Sequence, residues 1–351
     1  MEKKSYFHRV SELTPTRFWI NNVTREEAQF AIDAGAVGCT QNPAYTWKMI
    51  NNQQEKIYVM QKLDRILKAE NEDNEVVIKL QRELVAEVAK IFLQVYEKSN
   101  GKQGYVSIQG DPYDENTESI IRYAFFNREA GPNVMIKIPV TKEGLEAIKI
   151  LAAKKIPINA TEVMAVRQAL DVCEAYMEAT RQIKDPAPIY FSHITGIYDE
   201  YLKKTVEKEM IDVDLDALWQ AGISIAKKIY WMVKEKNYPV GFIGGGARGL
   251  HHFTEMVGAD CCVTINWEGT ADQLINQDPQ VVQRFLAATP YSVEDELLDK
   301  LEDYRRGYMV NGITQEEYEH FGPVVLFRSM FEEAWSNTLN LIKARRVELN
   351  Q

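Results

Sequence analysis

The sequence predicts an α/β fold, a closed (β/α)8 barrel, and three observations carry that expectation. Eight short apolar runs rich in β-branched residues recur along the chain. The segments between them have helical periodicity or helix-start residues. The runs are mostly apolar rather than strictly alternating, the pattern of strands buried on both faces of a parallel sheet. Eight βα units closing on themselves are the natural solution for a chain of 351 residues. A doubly wound open sheet is the competing arrangement, and no G-x-G-x-x-G follows the first run to favour it.

The first run, RFWIN (17–21), follows a short lead-in over 1–16. Thr24 and Glu27 then form an S/T-x-x-E capping box ahead of AQFAIDA, which starts a helix by satisfying two free backbone N–H groups. AVGCT (36–40), GYVSIQ (104–109) and VMIKIP (134–139) are the second, third and fourth strands. Thr141 precedes KEGLEAIKILAA, with Glu143 in the first turn, where the helix dipole favours an anion. IPINAT (156–161) is the fifth strand and the amphipathic stretch 162–182 its helix; PIYFSH (188–193) is the sixth, followed by a second long amphipathic stretch at 212–236. PVGFIG (239–244) and CCVTIN (261–266) complete the set. From about 275 the chain turns charged and helical, with VEDELLDKLEDYRRG and then PVVLFRSMFEEAWSNTLNLIKARR. The expectation is one domain over 1–351, with the barrel at about 17–270 and a C-terminal helical extension at about 275–351 packed on it.

Composition narrows the function classes. Hydrophobic content of 45% and charged content of 26% describe a globular chain with a sizeable core. The net charge of −10 argues against nucleic acid or an anionic membrane as partner. The opening MEKKSYFHRV has no apolar h-region, and no apolar run approaches the roughly 20 residues a membrane span needs. The four cysteines, Cys39, Cys173, Cys261 and Cys262, have neither C-x-x-C pairing nor zinc spacing. A reduced, cytoplasmic protein is expected.

One residue stands out chemically. Lys137 lies inside the fourth run, NVMIKIP, although burying an unpaired ammonium is costly. Either it is a strand-end lysine that snorkels or finds a carboxylate, or its surroundings hold the amine neutral and nucleophilic. In barrels of this kind reacting groups come from the C-terminal ends of strands, where Lys137 falls.

With those residues in hand, the strand ends resemble the transaldolase family and its fructose-6-phosphate aldolase branch, over about residues 17 to 270. NVMIKIPVTKEGLEAI is close to that family's signature around its imine-forming lysine, here Lys137. CTQNPA (39–44) matches the T-x-N-P after the second strand and puts the family's active-site asparagine at Asn42. PINAT (157–161) matches N-x-T and puts the water-positioning threonine at Thr161. The resemblance implies a metal-free, cofactor-free class I enzyme acting on a sugar or sugar phosphate, and it makes self-association an expectation.

The departures are as informative. Asn21 stands where the family has an aspartate, and Gln109 where transaldolases have a glutamate, although the aldolase branch also uses glutamine there. Ile197 replaces a phosphate-binding arginine; Ser192 matches a family serine, and His193 replaces a proline. Arg248 keeps the position of a second phosphate-binding cation.

Imine chemistry needs a group that takes a proton as the C3–C4 bond breaks, and amides cannot exchange one at neutral pH. The expected route is a water held by Thr161 and Gln109, or a nonstandard acid/base. Glu162, after Thr161, and His193, at a strand end, are the two nonstandard choices; each also has a purely structural reading. Asn21 and Asn42 would hydrogen-bond donor hydroxyls. GGGARG is either an anion cradle, with Gly245, Gly246 and Arg248 at a helix start, or a tight turn. Asp111 before Pro112 is read as a turn residue. The expected activity is transfer of a dihydroxyacetone unit from a ketose or its phosphate to an aldose. The competing readings are a lyase with an altered or unphosphorylated substrate, a binding-only homologue, and another lysine-imine barrel. The last would place the lysine on a different strand.

Overall fold

Eight parallel strands close in chain order, with the first beside the eighth, in the computed structural model, which describes residues 4–349. They are β1 (Arg17–Asn21), β2 (Gly38–Thr40), β3 (Tyr105–Gln109), β4 (Val134–Pro139), β5 (Ile158–Val163), β6 (Ile189–His193), β7 (Gly241–Gly244) and β8 (Cys262–Asn266). β1 and β4 occupy the residues expected of them, and the other six overlap their expected runs. The capping box closes as read: Thr24 Oγ1 accepts from the Glu27 N–H at 3.1 Å, and Glu27 Oε2 accepts from the Thr24 N–H at 2.8 Å.

Strand parity divides the barrel interior into layers. Trp19, Tyr105, Met135, Ile243 and Cys262, with Tyr190 packed against them, form an apolar plug toward the N-terminal end. Gly38 belongs to this packing, because a Cβ there would lie 2.3 Å from the Trp19 ring. Two residues further along each strand the same face carries Asn21, Thr40, Ser107, Lys137, Asn159, Ser192 and Thr264. A polar layer therefore sits on an apolar floor, at the end of the barrel where βα loops emerge. The alternate face of β4, with Ile136 and Ile138, packs into the main core beneath the helices.

Two helices differ from expectation. The stretch expected to be helical from 162 begins only at Val166, as the helix Val166–Thr180. β5 runs on through a register shift between Ala160 and Val163, and Glu162 adopts a left-handed φ of 64° at that bulge. The stretch 212–236 is broken into Leu215–Leu218 and Ala221–Glu235, the first piece capped by the Asp214 side chain.

The last described element is the helix Gly322–Leu349, called the C-terminal helix below. Its buried residues Val324, Phe327, Phe331, Trp335, Thr338 and Ile342 recur every three or four positions, an apolar stripe along one face. That stripe packs on the helices Tyr45–Asn51, Asp73–Lys98 and Thr195–Glu209 and on β5, across the end of the barrel that carries the polar layer. Trp335 Nε1 donates to Asn74 Oδ1 at 2.8 Å, and Arg345 holds both carboxylate oxygens of Asp64 at 2.8 and 2.7 Å. No described helix is long and apolar enough to cross a membrane.

Candidate active site

Lys137 points into the barrel from β4, in register with Gln109 of β3 and Asn159 of β5. It is 6% exposed. The rings of Phe331 and Phe327, from the C-terminal helix, lie 5.6 and 6.0 Å from its Nζ. Burial pulls the amine down from its ordinary 10.5 to about 8, against the opposing attraction of Glu162 and Glu115. A neutral amine is therefore accessible near physiological pH, as nucleophilic attack requires.

Beside the lysine, four side chains from three parts of the chain converge. Gln109 Nε2 donates to Glu162 Oε1 at 3.1 Å and to Glu115 Oε1 at 3.3 Å. Arg328, from the C-terminal helix, brings its Nε to 3.2 Å from Glu115 Oε2 and 3.8 Å from Glu162 Oε2. The bulge explains how Glu162 takes part: a left-handed residue re-aims its side chain off the regular alternation, a strained conformation for a non-glycine. Burial raises both carboxyls above their ordinary range, Glu115 strongly and with the Glu162 charge adding to it; Arg328 and Gln109 oppose the rise in each. Thr161 Oγ1, Gln109 Oε1, Glu162 Oε2 and Arg328 Nη2 are buried without a hydrogen-bond partner from the described protein. Such atoms cluster where a reacting molecule completes the network.

Other expected residues are already tied up with one another. Asn21 donates to Asn266 Oδ1 and accepts from Thr40 Oγ1, both at 2.9 Å, and Thr40 is bonded in turn to Thr264 at 2.8 Å. Ser192 donates to Asn159 Oδ1 at 2.7 Å, so it orients the β5 asparagine that flanks Lys137. Asn42 accepts through Oδ1 from Asn22 Nδ2 and from the Ala44 N–H, which pins the loop after β2. Asp111 is a turn residue as read, accepting from the Tyr113 N–H at 2.8 Å.

Three expectations are corrected. His193 does not face the lysine: Ser192 points inward, so its neighbour points outward. Its Nδ1 and Nε2 lie 2.9 and 3.1 Å from the carbonyls of Val163 and Gly222, and burial lowers its basicity. It serves the packing between barrel and helix. GGGARG is not an anion cradle. The Gly245 N–H is spent on the His193 carbonyl at 3.0 Å, and Gly246 (φ 68°) is required by packing, since a Cβ there would lie 2.4 Å from Ile194 Cγ2. Arg248 precedes only a four-residue turn of helix, and its Nε donates to Glu200 Oε2 at 2.5 Å. Its charge is already balanced by a carboxylate.

Ile197 is 1% exposed and packs beside Gly246. An arginine there would bury a guanidinium among apolar groups. Ile197→Arg is expected to lower stability by about 3 kcal/mol or more, measured by urea unfolding. A variant as stable as the parent would contradict this packing.

One histidine and carboxylate cluster lies outside the barrel mouth. Asp199, His251 and His252 bring their ligand atoms within 4.8 Å of one another, beside a cavity of about 480 Å³ that Trp219 helps to line. The hydrogen bonds define its chemistry. His252 Nδ1 accepts from the Arg248 N–H at 3.2 Å, so its Nε2 carries the proton and donates to Asp199 Oδ2 at 2.8 Å. That nitrogen has no lone pair for a metal, and the cluster reads as a structural dyad.

Glu115, Arg328, Phe327, Phe331 and Asn159 were not among the expected site residues. Asn159 alone had a local signal, the N of N-x-T.

Comparison with known proteins adds a family. The model described as Transaldolase/Fructose-6-phosphate aldolase matches residues 18–319, which ends just short of the C-terminal helix. A protein named transaldolase from Trichodesmium erythraeum is 29% identical over 245 residues, 62% of each chain. One from Saccharopolyspora erythraea is 31% identical over 179 residues, 47% of this chain and 46% of the relative. One from Mycobacterium tuberculosis is 28% identical over 237 residues, 62% and 61%. The chain thus spans between about half and three-fifths of the length of these relatives.

Proposed function

The chain belongs to the transaldolase/fructose-6-phosphate aldolase family, and from that premise we propose that it moves a dihydroxyacetone unit from a ketose or ketose phosphate to an aldose through an imine on Lys137. The observation that carries the reading is the buried Lys137 amine, held near 8 beside a set of polar atoms without protein partners.

The chemistry follows in balanced steps. The neutral amine attacks the donor's C2 carbonyl, one proton is taken up from solvent, and water leaves, forming the protonated imine. A base takes the proton of the C4 hydroxyl while the C3–C4 electron pair flows toward the imine nitrogen. An aldehyde departs and a neutral enamine stays on Lys137. Attack of the enamine carbon on an acceptor aldehyde reverses these events, and water releases the product. Glu162 is the base in this reading: its carboxylate lies in the site, with Gln109 steadying one oxygen and the other facing Arg328 without a hydrogen bond. Thr161 Oγ1, also unpartnered, suits the water that is lost and regained.

Two features favour a donor held without paired phosphate contacts: Ile197 is buried, and Arg248 is occupied by Glu200. Gln109 supports a second reading, a lyase that protonates the enamine and releases dihydroxyacetone. A binding-only role accounts poorly for a lysine kept buried and partly neutral at an energetic cost.

Borohydride reduction in the presence of candidate ketoses, followed by peptide mass spectrometry, tests the imine directly. The expected result is a reduced sugar adduct on Lys137 alone. Active protein that yields no adduct with a ketose it consumes would rule the mechanism out. Adding an aldose acceptor then separates the two activities, since a transferase yields a longer ketose and a lyase yields free dihydroxyacetone.

A further inference from the structure

We propose that Glu115 and Glu162 hold one proton between them, Glu162 in its carboxylate form exchanging a further proton with substrate and Glu115 acting as the positioning residue behind it, with Arg328 as their shared counter-charge. This deepens the imine reading and rests on it for the identity of the substrate.

The geometry is that of a pair. One side-chain amide, Gln109 Nε2, has two hydrogens and donates to an oxygen of each carboxyl, at 3.1 and 3.3 Å. One guanidinium nitrogen, Arg328 Nε, faces the remaining oxygen of each, at 3.8 and 3.2 Å. The Glu162 side chain is 1% exposed and that of Glu115 is 11%. Two buried carboxyls against one guanidinium leave one negative charge in excess, and a single retained proton removes it. Like charges crowded into one buried site do not both ionise cheaply, and both carboxyls are displaced upward as that requires. Among the described neighbours Lys137 is the other cation, mostly protonated at pH 7 with its amine near 8, and Glu319 and Glu332 add negative potential that offsets it.

The pair also explains the amide at Gln109. A glutamate there, as the resemblance led one to expect, would be a third carboxylate packed against two others. An amide instead supplies the two donors that join them. Its own oxygen is left without a protein partner, open to a water or a substrate hydroxyl. Arg328 and Glu332 belong to the C-terminal helix, beyond the span of the family match. The device is therefore assembled from the barrel and from a segment outside that match.

In the reaction, Glu162 in its carboxylate form receives the C4 hydroxyl proton as the C3–C4 bond breaks. It returns that proton to the oxygen of the acceptor aldehyde as the new bond forms, so the pair ends each turnover with the proton it began with. Glu115 touches no reacting atom. It keeps Glu162 poised between its two forms by repulsion when both are charged and by sharing the proton when one is not.

Two measurements test this. Infrared spectroscopy of the protein without substrate at pH 7 should show a protonated-carboxyl band that is lost in Glu115→Gln and in Glu162→Gln, because either survivor ionises against Arg328. Absence of the band in the parent, or its survival in both variants, overturns the sharing. In single-turnover reactions Glu162→Gln should still give the borohydride adduct on Lys137 but release aldehyde about 10²–10⁴-fold more slowly. Glu115→Gln should also keep the adduct, and its acid limb in the pH–rate profile should move down by roughly one pH unit as Glu162 loses its charged neighbour. An unmoved acid limb, or wild-type aldehyde release by Glu162→Gln, defeats the proposal. No adduct in the parent would instead fault the imine reading, which the infrared measurement does not depend on.

Discussion

Lys137→Met is expected to trap no ketose with borohydride, to lose turnover by at least about 10⁴-fold, as removal of a covalent nucleophile does, and to be more stable than the parent at pH 7. The stability gain follows from linkage. In the unfolded chain the amine ionises near 10.5, and in the fold near 8. Below pH 8 both states carry the proton, and the fold bears the full cost of a charge it disfavours. That gap corresponds to about 3 kcal/mol at 1.36 kcal/mol per pH unit. Between pH 8 and 10.5 the unfolded chain binds more protons, so the parent gains stability as pH rises, and above 10.5 the cost is gone. The advantage of the methionine variant is therefore full at pH 7 and shrinks across that window. Urea unfolding at pH 7 and pH 9.5 measures it. A methionine variant less stable than the parent at pH 7 would mean that the lysine is structurally satisfied, and the bland reading of a paired strand lysine would stand.

The residues that were legible in the sequence, and those that were not, divide along a physical line. All eight strands were visible because a strand buried on both faces is dominated by apolar residues, and β4 shows its lysine against that background. Glu162 was legible as a candidate acid/base but its route into the site was not, because its orientation depends on a bulge and a left-handed backbone that residue types alone do not announce. His193 was misjudged for a reason the sequence contained. Successive strand residues face opposite ways, and an inward Ser192 obliges its neighbour to face out. GGGARG resembled a phosphate loop because glycine serves both close ligand approach and close chain packing. Here Ile194 and Ile197 occupy the space that an anion would need.

The least legible part was the contribution of the C-terminal helix. Its apolar stripe announces a buried face, but not that the face lies over Lys137. Arg328 sits between Phe327 and Phe331 in that stripe, and in sequence it looks like a solubilising charge. It reaches Glu115 and Glu162 only because the helix crosses the barrel mouth. A side chain brought in from so far along the chain leaves no local spacing to read. The same holds for Glu115, which is one acid among several in DPYDENTE.

That helix leads to the other large expected effect. Phe331→Ala should shift the midpoint of imine formation to higher pH and slow the reaction at pH 7. Two opposing effects are removed with the ring. Its face stabilises the ammonium at 5.6 Å, a cation–π contact worth about 0.5–1 kcal/mol, and losing that lowers basicity. Its bulk keeps water from the amine, and losing that raises basicity. Burial already outweighs the attraction of two carboxyls in holding the amine near 8, so the second effect wins. At pH 7 about one amine in ten is neutral with a midpoint near 8, and a rise of one unit leaves about one in a hundred. The rate of adduct formation at pH 7 should therefore fall about tenfold while the rate well above pH 10 is kept. Removing a 2%-exposed phenylalanine also costs about 3–5 kcal/mol, so Phe331→Leu, which keeps most of the packing, serves as the companion variant with a smaller shift in the same direction. The measurement is the pH dependence of borohydride-trapped adduct, resolved in time and mapped to Lys137. An unmoved or lowered midpoint in folded Phe331→Ala would show that the strands alone set the amine. The C-terminal helix would then cover the site without tuning it.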